Sequence, residues 1–195
     1  MAMSGRTNTA RRRRGFTLLE LMVAVAIIGI LASTAITSFL RYQWRSKRSE
    51  AYANLESIRK VEISYQSEFG SYVSAVPSPA VAVPSEMKQN WPPRGYFDAV
   101  PGGGFEQVGW APEGPTFFDY EVVAMPDVGA GPYFTARAFG DVDGDGFLSV
   151  FMYVVPDGGG LTAACALCGP ATDPINSGGA PLYSTVAPAV GGDDF

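Results

Sequence analysis

The sequence predicts an α+β fold in which one long N-terminal α-helix packs on a small antiparallel β-sheet. No proline interrupts residues 16–69, and their pattern changes along the segment from apolar all round to amphipathic. Three later segments, 118–122, 133–139 and 147–155, are rich in β-branched and aromatic residues and are separated by turn-forming Gly, Pro and Asp. One face of this sheet should cover the apolar stripe of the helix.

A basic leader, residues 1–15, precedes the helix and contains four consecutive arginines at positions 11–14. Residues 21–40 are uncharged and mostly apolar, and at about 1.5 Å per residue they reach roughly 30 Å, the thickness of one bilayer core. The arginines predict that the N-terminus stays in the cytoplasm while the rest of the chain lies outside. A conventional secretory signal and a plain membrane anchor are the alternative interpretations of this segment.

Glu20 lies at the edge of the apolar run. A carboxylate in hydrocarbon costs at least about 2.5 kcal/mol, so an ionisable group at this position is a functional hypothesis. If the chain were cut between Gly15 and Phe16, a free amine would lie four residues before Glu20. In a bundle of identical, staggered helices, that amine would meet the Glu20 carboxylate of a neighbour only when the register is correct.

Residues 14–32 read Arg-Gly-Phe-Thr-Leu-Leu-Glu-Leu-Met-Val-Ala-Val-Ala-Ile-Ile-Gly-Ile-Leu-Ala. This segment resembles the N-terminus of type IV prepilins, a family of major pilins, minor pilins and type II secretion pseudopilins. The resemblance implies the type IV pilin fold, cleavage after Gly15 by a prepilin peptidase, N-methylation of Phe16 and pairing of Glu20 with a neighbouring N-terminus. Many pilins carry a proline near the position of Thr37, which this chain lacks, and Gly29 remains as a point where the helix could melt.

We predict two halves of the helix, a membrane-spanning or filament-core half at 16–40 and an amphipathic half at 41–72. In the second half an apolar stripe, interrupted by Glu62, should pack on the sheet; its members are Ala51, Leu55, Ile58, Tyr65 and Phe69. Between the two halves lies a basic cluster of Arg41, Arg45, Lys47 and Arg48. This cluster could bind lipid headgroups or acidic patches on adjacent subunits, or form a solvated helix face.

The globular head is predicted to span residues 73–195, as an irregular connector at 73–115, an antiparallel sheet at 116–155 and a C-terminal loop region at 156–195. A turn in the sheet carries Asp141, Asp143 and Asp145 before a glycine, which suits a hard cation such as Ca²⁺. The alternative is a solvated hairpin turn, because Asp and Gly favour turns for backbone reasons. Cys165 and Cys168 predict a structural disulfide if the head is exported to an oxidising compartment.

Composition limits the possible functions of this 195-residue chain. The leader holds five of the 14 basic side chains and none of the 19 acidic ones, so its removal leaves a side-chain balance of −10. Such an acidic chain is not expected to bind nucleic acids in general. Histidine is absent, which excludes His-based catalytic triads and His metal ligands. We therefore expect a protein that is not an enzyme and that requires no cofactor, with Ca²⁺ at the aspartate turn as the one candidate.

The resemblance implies a structural subunit of a type IV pilus-like filament. Such a subunit is processed by a prepilin peptidase and methyltransferase, waits in the bacterial inner membrane, and is assembled with other copies of itself by a pilus assembly platform. It then resides in a cell-surface pilus or a periplasmic pseudopilus. A minor pilin or a type II secretion pseudopilin would carry the same N-terminus, and a membrane-anchored periplasmic binding module that never polymerises is the alternative of another class.

Overall fold

The computed structural model describes residues 15–79, 87–93, 104–163 and 173–189. Its first element is helix α1 (Leu18–Phe69), which agrees within two residues with the predicted helix. Contacts between residues divide the chain into one unit that ends at Arg41 and a second that begins at Tyr42. The predicted leader lies outside the described residues, apart from Gly15.

The sheet is an antiparallel meander whose five strands follow one another in chain order. Its strands are β1 (Ala75–Ser78), β2 (Asp119–Met125), β3 (Tyr133–Gly140), β4 (Ser149–Val155) and β5 (Val186–Pro188). The three predicted strands are confirmed as β2, β3 and β4. Strands β1 and β5 were not predicted, because each is too short to show a period-two pattern. The α+β architecture, a long helix with a small antiparallel sheet, is the predicted one.

The second half of α1 packs on one face of this sheet. Ala51, Leu55 and Ile58 are fully buried, as the predicted stripe requires. They share one core with alternate residues of the strands, Tyr120, Val122, Phe134, Ala136, Ala138, Phe151 and Tyr153. Two polar contacts fix the helix laterally, since Asn54 donates to the Tyr120 hydroxyl at 2.8 Å and the Trp110 indole donates to Ser57 at 3.0 Å.

The prediction for the C-terminal end of the apolar stripe is wrong. Glu62, which was expected to interrupt the stripe, is fully buried within it, whereas Phe69 is 60% exposed. The carboxylate is held because Val73, just beyond the helix, donates its backbone N–H to Glu62 Oε2 at 3.0 Å. The chain therefore turns back over α1 at Glu62 and leaves the last helical turn open to solvent.

The opposite face of the sheet is also buried. On β2 the outward-facing Asp119 and Glu121 are buried, and on β3 the side chain of Arg137 is completely buried. Arg137 lies directly across the ladder from Glu121, with Nη1 at 3.4 Å from Glu121 Oε2. Its Nη2 donates to the carbonyl of Ala163, so the C-terminal region contributes to the cover of this face. The described part of the predicted C-terminal loop region thus forms a second layer over part of this face.

The connector at 73–115 is more ordered than predicted. It contains β1 and a four-residue helix, α2 (Gly104–Gln107), and an antiparallel bridge joins Gln89 to Thr116. Its described residues Trp91, Phe105 and Trp110 pack in or against the main core, and Trp91 lies edge-on to Trp110 at 5.3 Å between ring centroids. Aromatic burial therefore pins the described parts of the connector to the helix and the sheet.

We expect the substitution Gly104→Ala to destabilise the head by about 2 kcal/mol, because overpacking a close contact forces the backbone to shift. A Cβ at this position would lie 2.1 Å from the carbonyl oxygen of Ser74 and 2.4 Å from Cγ1 of Val73. Chemical unfolding followed by tryptophan fluorescence measures the change. Gly114→Ala is the matched control, since a Cβ there meets nothing within 4 Å; equal stability of the two variants would contradict the tight packing of α2 on this loop.

Candidate functional site

The start of α1 places the predicted processing and assembly residues next to each other. Thr17 caps the helix, because its hydroxyl accepts the backbone N–H of Glu20 at 3.1 Å, and its carbonyl accepts the N–H of Leu21 at 3.2 Å. Thr-Leu-Leu-Glu is a capping-box sequence, with the acidic residue at the third helical position. This signal was present in the sequence and was missed. Glu20 therefore has a local role at the helix start, where a carboxylate also favours the helix dipole, besides any role in assembly.

Apolar side chains are exposed on every side of the first half of α1. Phe16 is 81% exposed. The large apolar residues that follow it along the helix are also exposed: Leu18, Leu19, Leu21, Met22, Val23, Val25, Ile27, Ile28, Ile30, Leu31, Ile36, Phe39 and Leu40. The helix contains a window with a mean hydropathy of 2.3 and is long and apolar enough to cross a membrane. A surface of this kind requires lipid or other protein around it. It suits both a membrane anchor and the core of an assembly.

The serine and threonine hydroxyls at positions 33–38 form hydrogen bonds inside the helix. Ser33, Thr34 and Thr37 donate to the carbonyls of Ile30, Leu31 and Thr34 at 2.7–3.1 Å. Ser38 also donates to the Thr34 carbonyl, at 3.2 Å. Hydroxyls that bond back to their own helix expose no unpaired donor to hydrocarbon. Four hydroxyls therefore do not oppose burial of this segment in a membrane or among other helices.

The basic cluster does not act as one charged patch. Arg41 Nε donates to the Thr37 carbonyl at 3.4 Å. Lys47 is tied to the head, since its Nζ donates to the Val142 carbonyl at 2.7 Å and lies 5.0 Å from the centroid of the Phe117 ring. Arg45 is exposed. The cluster is thus divided between structural contacts within the chain and a cation that faces outward.

The aspartate turn brings its three carboxylates together. One oxygen from each of Asp141, Asp143 and Asp145 lies within 4.8 Å of the others. Asp141 accepts the backbone N–H groups of Gly144 and Gly146, at 2.7 and 3.0 Å, so part of its function is to form the turn. Partial burial raises the pKa of Asp143. The oxygen donors suit Ca²⁺ chemically, and calcium binding at this turn stays a prediction.

The structure describes the residues of the predicted cleavage site but not the two cysteines of the predicted disulfide. Gly15 and Phe16 precede α1 without regular secondary structure, and both are exposed. Cys165 and Cys168 lie outside the described residues.

Comparison with known proteins finds one matching family model and several similar proteins. Residues 10–36 match the family model described as the prokaryotic N-terminal methylation motif. The chain is 54% identical over 61 residues to the type IV major pilin protein PilA of Myxococcus xanthus, and 37% identical over 76 residues to a fimbrial protein of Neisseria meningitidis serogroup B. It is 30% identical over 94 residues to the type II secretion system core protein G of Pectobacterium carotovorum.

These similarities cover only part of each protein. They span 31%, 39% and 46% of this chain and 28%, 45% and 60% of the three relatives, in the order given above, so the chain matches less than two thirds of each relative's length. No solved structure matches the chain. The methylation motif covers the helix start with its exposed Phe16 and capped Glu20. This motif and these relatives show that the N-terminal part of the chain is similar to type IV pilins and to a type II secretion core protein.

Proposed function

We propose that this chain is a structural subunit of a type IV pilus-like filament, cleaved after Gly15 and methylated on Phe16. The observation that carries the proposal is the first half of α1, which exposes apolar side chains on all sides and carries a single acidic residue, Glu20, at its start. In a filament this surface would be covered by the same helix of neighbouring copies. The family motif at residues 10–36 supports processing at this junction.

Glu20 would set the register between copies. In the processed chain the amine of Phe16 lies one helical turn before Glu20, so each subunit offers one positive and one negative group to its neighbours. Both charges are costly in hydrocarbon, and pairing them across two helices relieves both at a single relative position. The capping bond from Glu20 N–H to Thr17 leaves the carboxylate itself free for this pair.

The proposed life of the subunit follows from this arrangement. It would first span the bacterial inner membrane once, with its N-terminus in the cytoplasm, and meet a prepilin peptidase and methyltransferase there. An assembly platform would then transfer it into a cell-surface pilus or a periplasmic pseudopilus. Its role would be structural, without catalysis.

Two other roles share the same N-terminal segment. A minor pilin or a pseudopilin of type II secretion would assemble by the same contacts, and one relative is named as a type II secretion core protein. A membrane-anchored periplasmic binding module would keep the helix and never polymerise. The dependence of assembly on Glu20 separates the last of these from the others.

We expect Glu20→Ala to reduce incorporation into filaments at least about tenfold, since losing a desolvated charge partner leaves the neighbouring amine unpaired. Sheared surface filaments and the membrane fraction are quantified by immunoblotting from cells that express each variant. Glu113→Ala, which removes an exposed carboxylate from the head, is the control and should assemble like the unsubstituted chain. If Glu20→Ala is present in the membrane at normal levels and its location and activity are unchanged, the result would favour the non-polymerising module.

The intact mass and N-terminal sequence of the protein from its native membrane test the processing step independently. A chain that starts at N-methylated Phe16 supports the proposal. A chain cleaved among residues 32–35, or one that keeps residues ahead of Phe16, contradicts it.

A further inference from the structure

A groove lies between the last turns of α1 and the segment around α2. We call it the helix-end groove; it is lined chiefly by Val61, Tyr65, Glu68, Phe69, Glu106 and Val108. All of these residues belong to the unit that begins at Tyr42. The groove exists because the segment after α1 packs back on the helix at Glu62, through Val73, which leaves the final turn of the helix uncovered.

The walls of the groove combine aromatic rings with carboxylates. The Tyr65 and Phe69 rings stack with their centroids 4.4 Å apart, and Gln107 donates to the Tyr65 hydroxyl at 2.8 Å, which fixes this wall. Glu68 and Glu106 supply negative charge, and no basic side chain is among the described residues that line the groove. A guanidinium group suits such a site, because it stacks on aromatic rings and pairs with carboxylates in the same plane.

The chain also carries an exposed guanidinium group of the kind that suits this groove. Arg45 is exposed on α1, and no hydrogen bond or ion pair connects it to the described parts of the chain. Arg59, by contrast, is paired with Glu56 at 2.9 Å. Arg45 and Glu68 are 23 residues apart on one helix, about 35 Å at 1.5 Å per residue, so they cannot meet within one molecule.

We propose that the helix-end groove binds Arg45 of another copy of this chain, with its guanidinium against Glu68 and the Tyr65–Phe69 pair. The inference rests on the proposed function as a filament subunit and names one of its contacts. Two parallel copies shifted by about 35 Å along the helix axis would bring the groove of one beside Arg45 of the other.

The symmetry of this contact agrees with a filament. Each copy gives one arginine and receives one, so the two surfaces in contact are different and the contact is heterologous. Heterologous contacts that do not close into a ring continue indefinitely and build an open helix of subunits. The processed chain, with its side-chain balance of −10 after loss of the leader, gains most from using its few exposed cations between copies.

The test is an exchange of charges in the full chain. Arg45→Glu and Glu68→Arg should each lower the yield of sheared filaments about tenfold, and the double variant R45E/E68R should recover most of that loss. Lys60→Glu makes the same change of charge at another exposed position of α1 and should assemble normally. Circular dichroism in detergent confirms that each variant folds, as expected for exposed residues.

A second measurement reports the contact directly. Copies with Arg45→Cys and copies with Glu68→Cys, expressed together, should form a disulfide-linked dimer in filaments, whereas a Lys60→Cys and Glu68→Cys pair should not. The inference is overturned if the double variant is no better than the single ones, if Glu68→Arg alone assembles normally, or if Lys60→Glu is equally defective. Loss of assembly with Arg45→Glu alone would instead assign Arg45 to membrane lipid. Absence of filaments from the unsubstituted chain would overturn the proposed function itself.

Discussion

Arg137→Met is expected to destabilise the head by about 3–5 kcal/mol, because it leaves a buried carboxylate without its ion-pair partner. Arg137 is completely buried on the outer face of the sheet, where it contacts Glu121 and the carbonyl of Ala163. Burial lowers the pKa of Arg137 and raises the pKa of Glu121, and each charge opposes the shift of the other. Loss of the guanidinium also removes the hydrogen bond to the Ala163 carbonyl.

The double variant R137M/E121Q separates the ion pair from the packing. Removing both charges abolishes the unpaired carboxylate, so the double variant should be more stable than Arg137→Met by about 1–3 kcal/mol. Arg59→Met is the control, since its partner Glu56 is part-exposed and such pairs contribute about 1 kcal/mol or less. Urea unfolding of the full chain in detergent, followed by tryptophan fluorescence, measures all three. A double variant as unstable as the single one would show that the side-chain volume of Arg137, rather than its charge, matters.

Helix α1 and strands β2 to β4 could be predicted because their signals are local. Proline-free helical periodicity gave α1, and the alternation around Tyr120 together with glycine-rich turns gave the central strands. The second layer of the head could not be predicted in this way. Glu121 and Arg137 look like solvent-facing residues in their own strands, and only the cross-strand register shows that they neutralise each other beneath the C-terminal segment. Long-range pairing of charges leaves no periodic trace in a sequence.

The candidate site shows the same division. Residues 15–20 and the apolar run behind them form a contiguous motif, so Phe16 and Glu20 were found from the sequence. The helix-end groove depends on where the segment after α1 packs back on the helix, and therefore on the contact of that segment with Glu62. This residue was taken as an interruption of the stripe, since a lone carboxylate is rarely buried without a paired charge. The backbone N–H that accommodates it comes from Val73, beyond the helix end, and only the folded chain brings it there.

Glu62 should make the stability of the head fall as the pH rises from about 4.5 to above 7. Burial raises the pKa of Glu62 to about 7, against a smaller opposite effect of the Val73 N–H. In this pH interval the folded state holds a proton that the unfolded state has released, so a rise in pH favours unfolding. The stabilisation is complete below the unfolded pKa of about 4.5 and is lost as the pH passes the folded pKa, a change of about 3 kcal/mol for this residue.

Glu62→Gln removes this pH dependence, because an amide carries no charge at any pH and its oxygen can still accept the Val73 N–H. We therefore expect the free energy of unfolding of Glu62→Gln, minus that of the unsubstituted chain, to grow by about 2–3 kcal/mol between pH 4 and pH 8. Urea unfolding of the full chain in detergent at several pH values gives this difference, and taking the difference cancels the other titrating groups. A flat difference would mean that the folded and unfolded states bind the proton of Glu62 equally, and would contradict a buried, protonated carboxyl group.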